Sequence, residues 1–517
     1  MAGPLTRAAR RILAVVDAQV NRLYTWRYNP LYQSGALVVV ALATMLLTGL
    51  YLLLFYRIGG PYPSVERIST QIWAGRWMRA LHRYAADLAV LAAVAHAVRL
   101  FLQGRSWGPR VLAWTSGVLL VGLLYLCGWT GYVMVWDPQA QLLATEGARL
   151  LDALPLFSEP LVRVFVGEQP IPGAFFFLNL FAHIAIPVGM AGMLWLHVSR
   201  VSRPVLLPPR RLWLTVVGVL LVLAVVWPAP LEGPANPFQR PESLSLDLLY
   251  GFWVPIQLRL GPWSGWLLLV GLPLGVLLVP LASRPRASAA LPASVVEERF
   301  CTGCEQCFVD CPFEAISMVE RGDGRATLVA RVDPARCVSC GICAGSCAPM
   351  GVGPPGRDGR DQLVDARAFL ARRGPDERGP VVIGCANSGA GGPRSPAGDR
   401  LLVSCLGNLH TSIIEILVRS GVPGVLIVSC PPRDCWSREG PGWLDQRIYH
   451  DREAELKARV DRRRVRVVYA SAAEGSRVAR ARAAFESDLA DLARPVTEEA
   501  VELDQSCEPP VTSGEPR

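Results

Sequence analysis

The first 282 residues alternate long apolar runs with short polar stretches, and beyond that point short apolar runs are set in charged sequence. Six of the long runs, at about 35–56, 80–102, 111–134, 174–198, 211–228 and 264–282, are long enough, or nearly so, to cross a hydrocarbon core of about 30 Å as helices. Residues 1–34 carry five Arg and no apolar h-region, so no secretory signal is predicted and the first run stays in the mature protein. In the second half, VVIG at 381–384, LLVS at 401–404, VLIVS at 425–429 and VRVVYA at 465–470 read as strands, with a helix near 410–420. That order predicts an α/β layer with a largely parallel sheet.

Charge sharpens the division. The 517-residue chain is 51% apolar and 18% charged, too apolar for an ordinary soluble enzyme and far from a disordered chain. The net charge of +9 comes from scattered basic residues that do not interleave with aromatics, which favours a membrane surface over nucleic acid. With the N-terminus inside, the short inner loops hold Arg99, Arg105, Arg110, Arg203, Arg210 and Arg211, and the opposite loops hold most acids, among them Asp137, Glu146, Glu242 and Asp247. Basic loops face the cytoplasm. Six crossings then return the chain to the cytoplasm at 283, so the expected location is multi-pass in a bacterial inner membrane with everything after that point cytoplasmic.

Ionisable residues inside membrane helices point to function. Four of the six His lie in the second and fourth runs as His82 with His96 and His183 with His197, both pairs 14 apart. Fourteen residues are close to four turns, about 21 Å along the axis. The two helices run in the same direction, so His82 can face His183 near the outer side and His96 can face His197 near the inner side. Two stacked bis-imidazole sites are how a bundle holds haem. A single such His is as readily an interhelical hydrogen-bonding group, and it is the repeated spacing that favours ligation. Gly35 with Gly49 and Gly117 with Gly131, in the first and third runs, are again 14 apart. Glycine in a helix costs about 1 kcal/mol relative to Ala. Missing side chains at both depths are expected to let flat macrocycles press against the backbone.

Residues 22 to about 280 resemble cytochrome b of the quinol-oxidising bc-type complexes, including the plastid type. The four His and four Gly carry the likeness, with WMRALHRY, HAVRLFLQG, GYVMVWD and HIAIPVG. The resemblance implies that His82 and His183 hold an outer b haem and His96 and His197 an inner one, with Arg79, Arg83 and Arg99 near propionates. It also implies an outer quinol pocket formed by the segment after Gly131 and the loop before the sixth run. Two departures matter. Gln33 stands where the plastid type attaches an extra haem through Cys, so that covalent haem is not expected. The family's Pro-Glu-Trp-Tyr motif is replaced by PANPFQRPESLSLDLLYGFW, leaving Asp247 or Glu242 as the proton acceptor, with Asp247 favoured by its closeness to Arg259.

After a Pro, Ala and Ser-rich linker at about 283–296 come CTGCEQCFVDCP and CVSCGICAGSCAP. Each is C-x2-C-x2-C-x3-C, in which the fourth Cys serves the other cluster. One [4Fe-4S] cluster would use Cys301, Cys304, Cys307 and Cys347, and the other Cys337, Cys340, Cys343 and Cys311. Zinc sites use two separated pairs instead, and a cytoplasmic placement disfavours disulfides. The segment resembles bacterial two-cluster ferredoxins.

Cys385, Cys405, Cys430 and Cys435 sit just past the ends of the first three predicted strands, where ligands of open α/β sheets collect. Four thiolates suit an iron-sulfur cluster or structural zinc, and a neighbouring ferredoxin favours electron transfer. VIGCANSGAGG, VSCLGNLH and GVLIVSCPPRDCWSREG resemble the delta subunit of methyl-viologen-reducing hydrogenases, which implies a [2Fe-2S] cluster and exchange with a heterodisulfide-reductase-like flavoprotein. Cys127, Cys507, His410 and His450 have no partner spacing and read as incidental, surface or capping residues.

The expected fold class is therefore multidomain: an all-α transmembrane haem bundle, an α+β two-cluster ferredoxin and an α/β iron-sulfur domain. The expected boundaries are 1–205 for a four-helix di-haem domain, 206–296 for two further spans and a linker, 297–356 for the ferredoxin, 357–494 for the delta-like domain and 495–517 for a disordered tail. The expected role is an electron-transfer subunit of a quinone oxidoreductase, catalytic together with other subunits. Electrons would pass between the quinone pool and a cytoplasmic flavoprotein or hydrogenase, in either direction, through outer haem, inner haem, two [4Fe-4S] clusters and one [2Fe-2S] cluster. The resemblance adds Rieske and cytochrome c partners and a homodimer within a larger complex. The alternative is a non-catalytic membrane anchor that docks a hydrogenase or reductase.

Overall fold

A computed structural model describes residues 4–165, 171–199, 203–236, 238, 247, 249–283, 291–373, 379–391 and 400–493. Glu242, Cys507, residues 284–290 of the 283–296 linker and the tail from 494 lie outside the described residues.

The N-terminal half is helical. Helix α1 (Pro4–Tyr28), interrupted at Thr25 with φ of 60°, precedes α2 (Ser34–Phe55), α3 (Pro61–Thr70), α4 (Gly75–Leu102), α5 (Val111–Val133), α6 (Pro138–Asp152), α7 (Gly173–Ser199) and α8 (Arg210–Val226). Lipid offers the backbone no partners, so an apolar chain there closes its hydrogen bonds within helices. Five segments are long and apolar enough to cross a membrane: Ser34–Phe55, Gly75–Leu102, Gly108–Val133, Gly173–Ser199 and Pro262–Leu281. The remaining expected span is α8, whose 17 residues rise only about 25 Å. The last segment follows α9 (Val254–Leu260) and is broken into α10 (Pro262–Trp266), a π-helical turn at Leu267–Gly271 and α11 (Leu272–Ser283). Helix α2 lies against α4, and α5 against α7. The sequence pattern did not anticipate α1, α3 or α6, since none carries an apolar run long enough to cross a membrane; α6 is fixed at its start by Asp137, which accepts from the Ala140 N–H at 2.9 Å.

The second half contains sheets. Strand β1 (Val295–Val296) pairs antiparallel with β4 (Val352–Gly353), and β2 (Ile316–Val319) with β3 (Val329–Val332). Between them lie the short helices α12 (Gln306–Asp310) and α13 (Ile342–Gly345). Helix α14 (Gly359–Arg372) opens with a capping box of Asp358 and Asp361. It leads to β5 (Val381–Cys385), β6 (Arg400–Val403), β7 (Val425–Ser429) and β8 (Val465–Tyr469), which form one parallel sheet in the order β6-β5-β7-β8. Helices α15 (Thr411–Arg419), α16 (Gly440–Tyr449) and α17 (Gly475–Ala493) complete this layer. Strands β5 and β7 are buried throughout, as expected of a parallel sheet covered on both faces. Ile413, Ile414 and Leu417 cover one face, and Val478 and Phe485 the other.

The two halves touch. Asn21 on α1 donates to Glu474 at 3.0 Å, Arg203 pairs with Glu439 at 2.7 Å, and the Trp26 and Tyr469 rings lie 4.8 Å apart.

Candidate electron-transfer centres

Helix packing brings His82 and His183 face to face, with ring centroids 6.2 Å apart. A metal–imidazole nitrogen distance of about 2.0 Å, plus about 1.1 Å from nitrogen to ring centre, sets two axial rings about 6.2 Å apart. The outer pair therefore fits one iron between its rings. His96 and His197 line a single cavity of about 670 Å³ together with Gly35 and Gly117.

The glycines also make room for the histidines. A Cβ on Gly35 would come within 2.8 Å of the His96 ring, on Gly131 within 2.9 Å of His183, and on Gly49 and Gly117 within 3.2 Å of His82 and His197. Each glycine thus admits an imidazole from the adjacent helix, because α2 meets α4 and α5 meets α7 closely at these levels. Each is also preceded by a hydroxyl residue: Ser34, Thr48, Ser116 and Thr130. Thr48 Oγ1 lies 2.9 Å from His82 Nδ1, Ser116 Oγ 3.0 Å from His197 Nδ1, and Thr130 Oγ1 3.0 Å from His183 Nδ1. The Cys127 carbonyl lies 3.0 Å from His183 Nδ1 as well. Binding Nδ1 this way turns Nε2 toward a metal and fixes the ring. The hydroxyls share the 14-residue spacing, and that repeat is the signal that could have found them. Cys127, read as incidental, places its sulfur 3.7 Å from His183 Nδ1.

The arginines divide. Arg79 donates to the carbonyls of Ala229 and Pro230. Arg83 pairs with Asp247 at 2.6 Å and lies over the Tyr132 ring. Asp247 also accepts from the Leu249 and Tyr250 N–H groups at 2.8 Å. Its partner is therefore Arg83 and not the expected Arg259. Beside it stands an acid that sequence reasoning missed, Asp87, one oxygen of which is buried without a hydrogen-bond partner. The Tyr132 and Tyr250 hydroxyls are buried and unpartnered in the same way. A lone acid in an apolar run was the available signal. The segment after Gly131 and the loop before the last apolar segment do meet here, with the Tyr132 and Tyr250 rings 5.4 Å apart.

Arg99 lines the cavity of the inner histidines. It grips Asp17 through two bonds of 3.0 and 2.7 Å and Asp434 at 2.6 Å, and Gln103 adds a bond to Asp434 at 2.5 Å. Two buried carboxylates demand a cation. Burial pushes the Asp434 carboxyl up to about 6 against the pull of Arg99. The neighbouring Arg105 donates to the carbonyl of Cys435. The cavity around His96 and His197 accordingly ends on residues of the second half, including Phe313, Cys435 and Trp443.

Cys301, Cys304, Cys307 and Cys347 line one cradle with Val296, Met318, Ala330 and Val352. Cys340 lies within electrostatic reach of Cys343, Cys311 and Cys337. Backbone N–H groups of Gly351, Ala315 and Ser294 point at the sulfurs of Cys347, Cys311 and Cys337 at 3.2, 3.4 and 3.4 Å, the pattern that tunes iron-sulfur clusters. Among the described residues no group of His, Cys, Asp or Glu is drawn close enough to hold a single metal ion; a cubane takes one sulfur at each of its irons and does not require that. Cys385, Cys405, Cys430 and Cys435 are buried together, Cys430 within hydrogen-bonding reach of Cys385, and Cys435 within reach of both Cys405 and Cys430. His410, expected as a surface or capping residue, caps α15 through Ser412 but is buried, with Nε2 3.2 Å from the Cys347 carbonyl. His450 is exposed.

Stacked imidazole pairs in a membrane bundle, followed by Cys-rich domains, define a multi-pass membrane electron-transfer protein with iron-sulfur domains. The chain belongs to the cytochrome b/b6 family. The cytochrome b/b6/petB family matches residues 20–205, the 4Fe-4S dicluster domain 300–351, and the methyl-viologen-reducing hydrogenase delta subunit 395–493. Cytochrome b6 of Porphyra purpurea is 30% identical over 158 residues, 30% of this chain and 74% of that protein. The menaquinol:cytochrome c reductase cytochrome b subunit of Geobacillus thermodenitrificans is 27% identical over 176 residues, 33% of this chain and 79% of that protein. A chain of a hyperthermophilic respiratory Complex III shares 18% identity and a TM-score of 0.39 over 48% of this chain and 75% of its own, too distant to add to the argument. Cytochrome b implies haem b, and the dicluster domain implies iron-sulfur clusters.

Proposed function

We propose that this protein is the membrane electron-transfer subunit of a quinone/quinol oxidoreductase, linking the quinone pool to a cytoplasmic flavin or iron-sulfur partner. On this reading His82 with His183 and His96 with His197 hold two b haems. Cys301, Cys304, Cys307 and Cys347 hold one [4Fe-4S] cluster, Cys337, Cys340, Cys343 and Cys311 a second, and Cys385, Cys405, Cys430 and Cys435 a [2Fe-2S] cluster. These groups supply one-electron transfer. The chain's residues orient the imidazoles, exclude water from the inner cavity and accept quinol protons at the outer acids, Asp247, Glu242 and the newly found Asp87. The boundaries at 205, 296, 356 and 494, the bacterial inner membrane and the cytoplasmic second half belong to the same reading. So do cytochrome c as a partner, suggested by the menaquinol:cytochrome c reductase relative, and a Rieske protein, implied by the family resemblance. Electrons passed from a low-potential donor to quinone run downhill, and flow in the other direction has to overcome about 2.3 kcal/mol per unit charge per 100 mV of membrane potential.

The observation that carries this reading is the cavity that has His96 and His197 and also Cys435 on its wall, since it joins the membrane bundle to the thiol domain without a third element between. The test is reduction of the purified full chain's haems by menaquinol in lipid nanodiscs. Reduction that a quinone-site inhibitor blocks supports the reading. Haems that ignore quinol leave the anchor role instead.

A further inference from the structure

The thiol quartet is covered by the membrane half of its own chain. Cys385, Cys405, Cys430 and Cys435 are all buried. Arg99 and Gln103 hold Asp434, Arg105 holds the Cys435 carbonyl, and Arg10 lies over the Trp436 ring at 4.7 Å. Cys435 itself stands on the wall of the cavity that has His96 and His197 on it. The ferredoxin adds Pro312, Phe313 and Glu314 to that wall and, among the described residues, no cysteine. The quartet meets the ferredoxin elsewhere. Asn408, three residues after Cys405, donates to the Gly341 carbonyl at 2.9 Å. Arg447 is fully buried and donates to Ser346 Oγ and to the Gly407 carbonyl, both at 3.0 Å. The turn after Cys405 is thus bound to α13 and its flanks, which carry Cys340, Cys343 and Cys347. Among the cysteines assigned to clusters, Cys304 is the exposed one, and its neighbours Thr302 and Glu305 are exposed with it.

We propose that the quartet is the first centre beyond the inner haem and the cluster of Cys301, Cys304, Cys307 and Cys347 the last, so that a soluble one-electron carrier protein docks at the Cys304 edge and not at the quartet. The expected order beyond the inner haem is thereby reversed. The inference rests on the reading of the histidines and cysteines as haem and cluster ligands. Electron transfer weakens steeply with separation, so an electron passes between centres whose ligands share a wall. The quartet shares one with His96 and His197, and the segment around Cys435 is taken up by contacts to the bundle, which leaves a soluble protein no access there. Redox partners meet through small, transient interfaces, and an exposed cluster ligand offers one. Each step moves one electron. Oxidation of a [4Fe-4S] cluster reduces the quartet's cluster, oxidation of the latter reduces the ferric inner haem, and two such electrons with two protons convert menaquinone to menaquinol.

The test drains electrons from the membrane side. The full chain in lipid nanodiscs is reduced with dithionite, freed of excess reductant and mixed with menaquinone. Haem bands and freeze-quenched electron paramagnetic resonance then follow haems and clusters separately. Wild type is expected to lose the reduced signals of all its clusters. Cys405→Ala, which removes the quartet's cluster, is expected to oxidise its haems while the [4Fe-4S] signals persist, and ferricyanide added in water then empties them. Cys304→Ala, at an exposed position, is expected to empty its quartet as wild type does. Loss of the [4Fe-4S] signals along with the haem electrons in Cys405→Ala, their survival after ferricyanide, or a quartet that stays reduced in Cys304→Ala overturns the proposal. Should Cys405→Ala fail to assemble its [4Fe-4S] clusters, Cys304→Ala decides alone. If menaquinone oxidises no haem in the wild-type chain, the underlying reading fails instead.

Discussion

The outer and inner ends of the bundle are built alike and closed differently. Each has two histidines, two glycines and a pair of hydroxyl residues, spaced by 14 along the same helices. The outer end is closed by Arg83, Asp87, Asp247, Tyr132 and Tyr250, all from the membrane half, with Asp247 paired to Arg83 at 2.6 Å. The inner end is closed by Arg99, Arg105 and Arg110 together with Asp434, Cys435 and Phe313 from the second half. One duplicated frame thus serves two tasks. Acids and phenols suit proton-coupled chemistry on a small substrate, whereas a wall shared with the thiol domain suits passing an electron onward.

The largest effect is expected where the inner closure depends on one cation. Arg99→Leu leaves Asp17 and Asp434 buried and unpaired, and breaking a buried ion pair in this way costs about 3–5 kcal/mol. The loss should fall on docking, because Asp17 and Asp434 belong to α1 and to the loop before Cys435. Hydrogen exchange should show lost protection around 431–435 in Arg99→Leu while α2 and α4 stay protected. Arg83→Leu, the outer counterpart, should leave 431–435 as in wild type. Equal protection of that loop in both variants would erase the distinction between the two ends.

Much of this was legible along the chain and some was not, for a physical reason. Histidine and cysteine spacing is local information: 14 residues fix a depth on a helix, and C-x2-C-x2-C-x3-C fixes a cluster cradle. The strands at 381–385 and 425–429 were visible because buried parallel strands are continuous apolar runs. The glycines were found but their contact with the imidazoles was not, since spacing gives the level of a missing side chain and not which neighbour fills the gap. Asp87 was missed although a lone acid in an apolar run is a readable signal. The link of Arg99 to Asp17 and Asp434 spans 82 and 335 residues, and no periodicity encodes contacts of that range. Family resemblance carries the position of Arg99 and not the partner, Asp434, that the second half brings to it.

The glycines offer the next test, of intermediate size. A Cβ at 2.8 or 2.9 Å from a ring must displace it, whereas one at 3.2 Å requires a shift of only a few tenths of an ångström. Overpacking of this kind costs about 1–3 kcal/mol. Gly35→Ala should therefore disturb the inner haem more than Gly117→Ala, and Gly131→Ala the outer haem more than Gly49→Ala. Haem content and the reduced α-band of each variant measure this. If all four variants lose haem equally, the imidazole is not what these glycines accommodate.

The smallest effect should come from the hydroxyls, and its size depends on what else holds each ring. His183 Nδ1 meets the Cys127 carbonyl at 3.0 Å as well as Thr130 Oγ1 at 3.0 Å, so Thr130→Val leaves a partner in place. His82 and His197 likewise have the carbonyls of Met45 and Ala113 behind Thr48 and Ser116. A hydrogen bond of this sort is worth about 0.5–1.5 kcal/mol, and a remaining carbonyl should bring the loss to the lower end. Thr48→Val, Ser116→Ala and Thr130→Val are thus expected to keep both haems and to change only ring orientation, visible as altered g-anisotropy in the electron paramagnetic resonance of the low-spin ferric state. Outer and inner signals should move by similar amounts. This is where the two ends are most alike, and unequal shifts would mean that their difference reaches inward to the ligands themselves.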